Sequence, residues 1–255
     1  MIFRASLSIV IHAGAQINFQ KDKKEFDNTN TLGTGNMIGF AGGLQRLRRF
    51  VYISTAFAAG QKSGTVTEEE PAGRIFSNYY EESKARAEEL VKDSGLPYSV
   101  CRPSMIIGDS KTGWVKSFNT IYYMLKLMLL GQLRVLPLSP DTPINVVPGD
   151  YVADSIIRIS FSEDALNRTF HLTCPTEQAP TAGMLADYVR KWAEDNLELD
   201  LPKPLFTPIP ALKQAGLLYN RKMADRKKGF ITNLLTLLPY FFSAQDFDRS
   251  NTDRI

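Results

Sequence analysis

The sequence predicts an α/β protein built on a parallel sheet, and three observations carry that expectation. Short β-branched apolar runs at 7–12 (LSIVIH), 50–54 (FVYIS) and 98–102 (YSVCR) have the character of strands buried on both faces. Stretches with helical periodicity lie between them. The connections are short, and strand–helix–strand units of this kind place successive strands parallel, with helices on the sheet faces.

The elements follow in order. Residues 20–28 are polar and read as a connection. A helix is expected over 30–49, with Leu32, Met37, Phe40, Leu44 and Leu47 as its apolar face and Arg46, Arg48 and Arg49 near its C-terminus, where cations suit the helix dipole. Residues 60–73 read as loop because Gly60, Gly64, Pro71 and Gly73 interrupt them. The next helix is better marked. Asn78 with Glu81 three residues later has the form of an N-cap with a returning acid, Gly95 supplies the stop, and Ala87, Leu90 and Val91 form an inward stripe.

Beyond Gly108 the expected helices are 114–130, 151–160 and 181–196, the last amphipathic on Leu185, Val189 and Trp192. Short strands are expected at 144–147 and 169–172, and both can return to the main fold. Trp114, His171 and Cys101 read as packing residues. A Pro-rich linkage (Pro202, Pro204, Pro208, Pro210) leads to a mainly helical tail.

Composition narrows the class. The 255 residues are 44% apolar and 22% charged, which excludes disordered, collagen-like and disulfide-stapled proteins. Cys101 and Cys174 have no metal-ligand spacing, so a reducing, cytoplasmic setting is expected. His12 and His171 are too few for a His-rich metal centre, and no metal is expected. No uncharged apolar stretch reaches the roughly 18 residues of a membrane-spanning helix.

The net charge of +3 is local: Arg221, Lys222, Arg226, Lys227 and Lys228 face one acid, Asp225, and without that run 25 basic and 26 acidic residues remain. A neutral body argues against nucleic-acid binding. The apolar residues 230–242 that follow the basic run make 221–242 either a peripheral membrane or acyl-chain surface or, the favoured reading, a core helix behind a solvated turn.

The sharpest chemical feature is Tyr80-Glu-Glu-Ser-Lys84. A spacing of four puts the phenol and the ammonium on one helix face, where the cation stabilises phenolate and readies the phenol for proton transfer. Alone the string is weak. Its setting strengthens it, because the preceding strand ends in Ser54-Thr55 and the following one in Arg102-Pro103-Ser104, at the carboxyl edge of the sheet where α/β ligand sites lie.

As an ordered set, these residues resemble the extended short-chain dehydrogenase/reductase family, and within it the thioester reductase and fatty acyl-CoA reductase (male sterility) group. The set comprises His12-Ala-Gly-Ala15 with Ile17-Asn18-Phe19, Asn30-Thr-Leu-Gly33-Thr34, the Ser54-Thr55 strand end and the Asn78 to Lys84 segment. It continues with Arg102-Pro103-Ser104, with Gly108-Asp109-Ser110-Lys-Thr112-Gly113, and with Pro239-Tyr240 and Phe247-Asp248-Arg-Ser250-Asn251-Thr252 near the end.

The resemblance implies an NAD(P)H-dependent reduction of a thioester, carried by CoA or by a carrier protein, to an aldehyde or alcohol, with NADPH the favoured cofactor. It assigns Thr55, with Ser54 the fallback, to the substrate carbonyl, Tyr80 to proton donation, and Lys84 to the phenol and the nicotinamide ribose. Ala13, Gly14 and Ala15 would lie beside the cofactor's adenosine side, and Pro103, Ser104, Met105 and Ile106 beside the nicotinamide.

Against that family pattern the glycine-rich phosphate loop is missing ahead of the first strand, so the expected fold is an N-terminally truncated Rossmann-type sheet. Residues 1–110 would form the partial dinucleotide-binding domain and 111–255 a smaller mixed or helical substrate-binding region. Gly33-Thr-Gly35-Asn-Met-Ile-Gly39 imitates a phosphate loop but does not follow a strand at once, and its glycines are expected to allow close helix–sheet packing. Two other functions stay open: a non-catalytic remnant or interaction module, and a sugar-nucleotide epimerase or dehydratase.

Overall fold

A computed structural model describes residues 6–19, 21–69, 75–118, 120–136, 138–207 and 245–255. The expectations for the basic run 221–228, the segment 230–242, the helical tail and Pro239-Tyr240 lie outside the described residues. In chain order the strands are β1 (Ile9–His12), β2 (Arg49–Ile53), β3 (Gly64–Val66), β4 (Tyr98–Pro103), β5 (Met105–Ile107), β6 (Val135–Leu136), β7 (Val146–Pro148), β8 (Arg168–Leu172), β9 (Leu205–Phe206) and β10 (Gln245–Phe247). The helices are α1 (Lys23–Phe26), α2 (Gly33–Gly42), α3 (Tyr79–Lys92), α4 (Thr120–Leu129), α5 (Gly149–Phe161) and α6 (Ala182–Leu197).

The fold is α/β, as the sequence predicts. Four strands form one parallel sheet in the order β1-β2-β4-β8, in register at Val10↔Phe50, Tyr52↔Val100 and Cys101↔Phe170. Alternation along each strand sorts the core into two layers. Val10, Phe50, Tyr52 and Val100 meet Ala41, Ala87 and Val91 of α2 and α3, with Met37 and Phe40 packed beside them. Val51, Cys101, Phe170 and Leu172 point to the other face and meet Val152 and Ile159 of α5. Burial of each such Val, Ile, Leu or Phe side chain contributes about 1.5–3 kcal/mol. Cys101 is buried mid-strand, and burial raises its thiol pKa, which leaves it inert.

The chain forms two compact units. The first takes Met1–Gly113, Val146–Pro175 and Gln245–Ile255, and the second Trp114–Asn145 and Thr176–Ala244. The main sheet, the paired β5 and β7, and the paired β3 and β10 belong to the first. In the second, α4 buries Ile121, Met124 and Leu127, and α6 buries Ala182, Ala186, Val189 and Ala193. No described helix is long and apolar enough to cross a membrane.

Several local expectations are corrected. The helix expected over 30–49 begins earlier and ends earlier, running from α1 through a π-helical turn, Asp27–Leu32, into α2. Asp22 caps its start by accepting from the Glu25 N–H at 2.9 Å, and Gly42-Gly43 end it. The polar residues 23–28 are thus helical, and Arg49 is instead the first residue of β2. There its buried guanidinium donates to Ser99 Oγ and to the carbonyls of Ile159 and Ser162.

The wider π turn changes the angular position of the residues around it, and Leu32 is left exposed. Gly35 and Gly39 are also exposed, and an added Cβ at either would meet nothing within 4 Å, so close packing does not account for them. The expected loop 60–73 contains β3, whose partner β10 lies far along the chain. The helix expected from 114 starts at Thr120, and Trp114 is exposed. Leu90 and Trp192 also face outward, because small residues (Ala87 in α3; Ala186 and Ala193 in α6) hold the inward faces and the bulky side chains flank them.

Candidate active site at the carboxyl edge of the sheet

The site begins where β2 ends. Thr55 is extended (φ −152°, ψ 148°) and its hydroxyl accepts from the Phe57 N–H, which starts a tight turn over Ala56–Ala59 and holds Thr55 at the sheet edge. α3 starts where Asn78 accepts from the Glu81 N–H at 3.0 Å, while the Glu81 carboxylate accepts from the Ser77 N–H at 2.8 Å. This reciprocal cap fixes Tyr80 in the first turn and Lys84 one turn on.

Thr55 stands beside the Tyr80 phenol at this edge. The Tyr80 ring also meets Phe19 and Phe26 edge-on, at centroid distances of 5.6 and 6.4 Å. Burial pushes its pKa up to about 12, with Thr55 opposing the shift and Glu81 adding to it. Lys84 is buried. Its Nζ donates to the Ile53 carbonyl at 2.6 Å and lies 4.3 Å from the centroid of the Tyr52 ring. Burial pushes the ammonium down to about 7, and Glu88 works against that. Burial outweighs any lowering by Lys84 and leaves the phenol raised, because both groups are desolvated and a sequence spacing does not register desolvation.

The other candidate residues lie along the same edge. Ala13 and Gly14 are exposed just after β1, and Ala15 is half-buried. His12, at the end of β1, donates from Nε2 to Thr34 Oγ1 at 3.0 Å, and that hydroxyl donates to the Asn30 carbonyl at 2.6 Å. Burial, then the charge of Lys84, lowers the pKa of His12 and keeps it neutral. Asn30 accepts from the Gln16 N–H and donates to the Gln16 carbonyl and to Ser83 Oγ, so it pins the loop after β1 to α3.

Pro103 ends β4, and in β5 Met105 is buried and Ile106 partly exposed. Between them the Ser104 N–H donates to the Leu172 carbonyl at 3.2 Å, a backbone bond that ties the chain leaving β4 to the end of β8. The structure therefore brings Ser54, Thr55, Tyr80 and Lys84 together, and sets Ala13 to Ala15 and Pro103 to Ile106 on flanking strand ends. The Gly108 to Gly113 loop is also fixed: Asp109 accepts from the Thr112 N–H and hydroxyl at 2.8 Å, and Asp150, at the start of α5, accepts from Ser110. Among the described residues no cluster of His, Cys, Asp or Glu could hold a metal.

Sequence reasoning missed a buried polar network beside this site. Glu88 receives Arg102 through two parallel bonds, Nε at 2.9 Å and Nη2 at 2.6 Å, with both side chains buried. Burial alone would raise the carboxyl pKa, but the charge and hydrogen bonds of Arg102 hold Glu88 below the usual carboxylate range. Arg102 Nη1 lies 3.4 Å from His171 Nε2, and His171 Nδ1 lies 2.7 Å from the Asp248 carbonyl. The available signals were Glu88 four residues after Lys84, and an arginine inside a buried strand.

A second carboxylate, Glu68, accepts from the backbone N–H of His171, Asn251 and Thr252 and from the Thr252 hydroxyl. It ties the 245–255 segment to β8.

A parallel α/β sheet with a Tyr–Lys helix at its carboxyl edge defines the class. Residues 2–156 match the male sterility protein family, and the chain belongs to that family. It is 30% identical to an aldehyde reductase of Aspergillus flavus over 66% of this chain and 18% of that protein. It is 28% identical to a nonribosomal peptide synthetase of the same fungus over 91% of this chain and 22% of that protein. The chain thus spans about a fifth of the length of these relatives.

Among solved structures, the terminal R domain from the myxalamid PKS-NRPS biosynthetic pathway shares the fold, with a TM-score of 0.73 and 24% identity over 96% of this chain and 61% of that chain.

Proposed function

We propose that this chain carries the catalytic edge of an NAD(P)H-dependent reductase that converts an acyl thioester, held by CoA or by a carrier protein, to an aldehyde or alcohol. The observation that carries the reading is the convergence of Thr55, Tyr80 and the buried Lys84 at the carboxyl edge of the parallel sheet, where Lys84 Nζ donates to the Ile53 carbonyl at 2.6 Å. The family relationship supports it, as do the activities named for its relatives, an aldehyde reductase and a Drosophila melanogaster protein described as a putative fatty acyl-CoA reductase.

The residues present fit parts of the cofactor: the end of β1 its adenosine side, and Lys84 the nicotinamide ribose. Small exposed residues, Ala13 and Gly14, leave the end of β1 open to a ligand, and His12 and Lys84 stand beside it. When bound, the reduced nicotinamide supplies hydride. In this reading Thr55 and Tyr80 donate to a carbonyl oxygen as negative charge develops on it. Tyr80, high in pKa, holds its proton until that oxygen needs it, and the Lys84 ammonium stabilises the phenolate left behind.

The test incubates the full chain with NADPH or NADH and a panel of acyl-CoA and acyl-pantetheine thioesters, with nucleotide sugars in parallel. Cofactor oxidation with release of free thiol supports the reading. Turnover of nucleotide sugars alone would convert it to an epimerase or dehydratase, and failure to bind or oxidise either cofactor would make the chain a non-catalytic module.

A further inference from the structure

One helical turn beyond Lys84 lies a buried ion pair that the proposed reaction does not use. The carboxylate of Glu88 is inaccessible to water, yet Arg102 meets it with two parallel donors, a geometry that keeps the acid ionised. Arg102 is itself oriented by His171. The bond from Nδ1 to the Asp248 carbonyl assigns the proton to that nitrogen and leaves Nε2 to accept from Arg102. Burial, then the charge of Arg102, pushes His171 down to about 4, so the imidazole stays neutral through the physiological range.

We propose that Glu88, locked in place by Arg102, is a positioning residue that raises the proton affinity of the buried Lys84. The inference rests on Lys84 being the lysine of the reductase site. Lys84 is buried against an aromatic ring and a single carbonyl, surroundings that favour loss of its proton. By helix register Tyr80 and Glu88 share its face, and the charge of Glu88 acts on it; from the sheet it is met by His12 of β1 and by the Tyr52 ring and Ile53 carbonyl of β2. Arg102 of β4 and Lys92 of α3 stand around Glu88. Within this group Glu88 is the anion. Its position at i+4 puts it on the same helix face as the ammonium, and the Arg102 clamp prevents it from swinging away or taking up a proton.

The experiment follows the Lys84 Nζ signal by NMR against pH, using the full chain labelled with ¹⁵N-lysine. The signal is assigned by its disappearance in Lys84→Arg. Glu88→Gln is expected to lower the proton affinity of Lys84 roughly tenfold. Glu88→Asp, which retains the charge, is expected to preserve most of it. Because Glu88→Gln leaves Arg102 buried without its partner, Glu88→Gln with Arg102→Gln is measured as well, so that no charge is stranded.

A Lys84 midpoint that stays in place in either folded variant overturns the inference. If the midpoint falls but the wild-type chain reduces no thioester, the electrostatic link stands and the reaction reading fails. If thioesters are reduced, the alkaline limit of that activity moves to lower pH together with the midpoint, and an unmoved limit would overturn the link to function.

Discussion

Two buried polar clusters lie along the same sheet, and they are built to opposite rules. Around Glu68, His171 and residues 248–252, donors and acceptors are matched: one carboxylate collects three backbone N–H groups and a hydroxyl. At Tyr80 and Lys84, burial is not answered in kind. The phenol is pushed up to about 12 and the ammonium down to about 7, with one hydroxyl and one carbonyl facing them. A saturated cluster holds segments distant in sequence together. A cluster that is desolvated but sparsely partnered keeps its groups responsive to a ligand that brings charge. The Glu88–Arg102 pair stands beside both: Arg102 Nη1 lies 3.4 Å from His171 Nε2, and Glu88 is one helical turn from Lys84, whose charge it favours.

The comparison can be broken by changing one side at a time. The largest effect is expected from Tyr80→Phe, which removes the proposed proton donor while leaving the ring packing. Thioester reduction should fall roughly a hundred- to ten-thousand-fold, with an unchanged thermal unfolding profile. A large loss of stability instead would place Tyr80 on the structural side.

Arg102→Met should do the reverse and act first on stability. It leaves the buried Glu88 carboxylate without its cation, and urea denaturation should register a loss of about 3–5 kcal/mol.

Lys84→Met sharpens the contrast through pH. The folded-state value of about 7 lies below the ordinary 10.5, so between the two the unfolded chain binds a proton that the folded chain releases. The wild-type lysine therefore makes stability rise with pH across that window. Lys84→Met should be more stable than the wild type near pH 7, with the difference shrinking toward pH 10.5 in denaturation series. A difference independent of pH would show that the ammonium is not desolvated. The smallest effect is expected from Asn78→Ala, which removes the cap of α3 and should cost about 1 kcal/mol by the same measurement.

Much of this arrangement is legible in the sequence because it is local. The β-branched runs mark β1, β2 and β4, and Asn78 with Glu81 marks the start of α3. The spacing from Tyr80 to Lys84 then follows from helix geometry. What escapes is what depends on distant partners. Glu68 reads as a loop acid until residues 245–255 return to it, and β3 is invisible without β10. His171 reads as a packing residue, although its two nitrogens connect Arg102 to Asp248. Leu90 and Trp192 mislead because apolar character marks a helix face only to within the width of its flanks, and the alanines beside them occupy the contact. The pKa shifts escape for a related reason: they come from desolvation by residues on several strands.

The π-helical turn over Asp27–Leu32 carries a consequence for changes in chain length. A π turn holds one more residue than the α turn it replaces, so it behaves as an insertion stored inside a helix. Deleting one residue there would allow regular α-helix to form while α1 and α2 kept their places. The cost would fall on Asn30, which would rotate away from Gln16 and Ser83 and release the loop after β1. A deletion that a helix would ordinarily absorb as a shift of register is thereby aimed at the few side chains of this turn that meet α3 and the loop after β1.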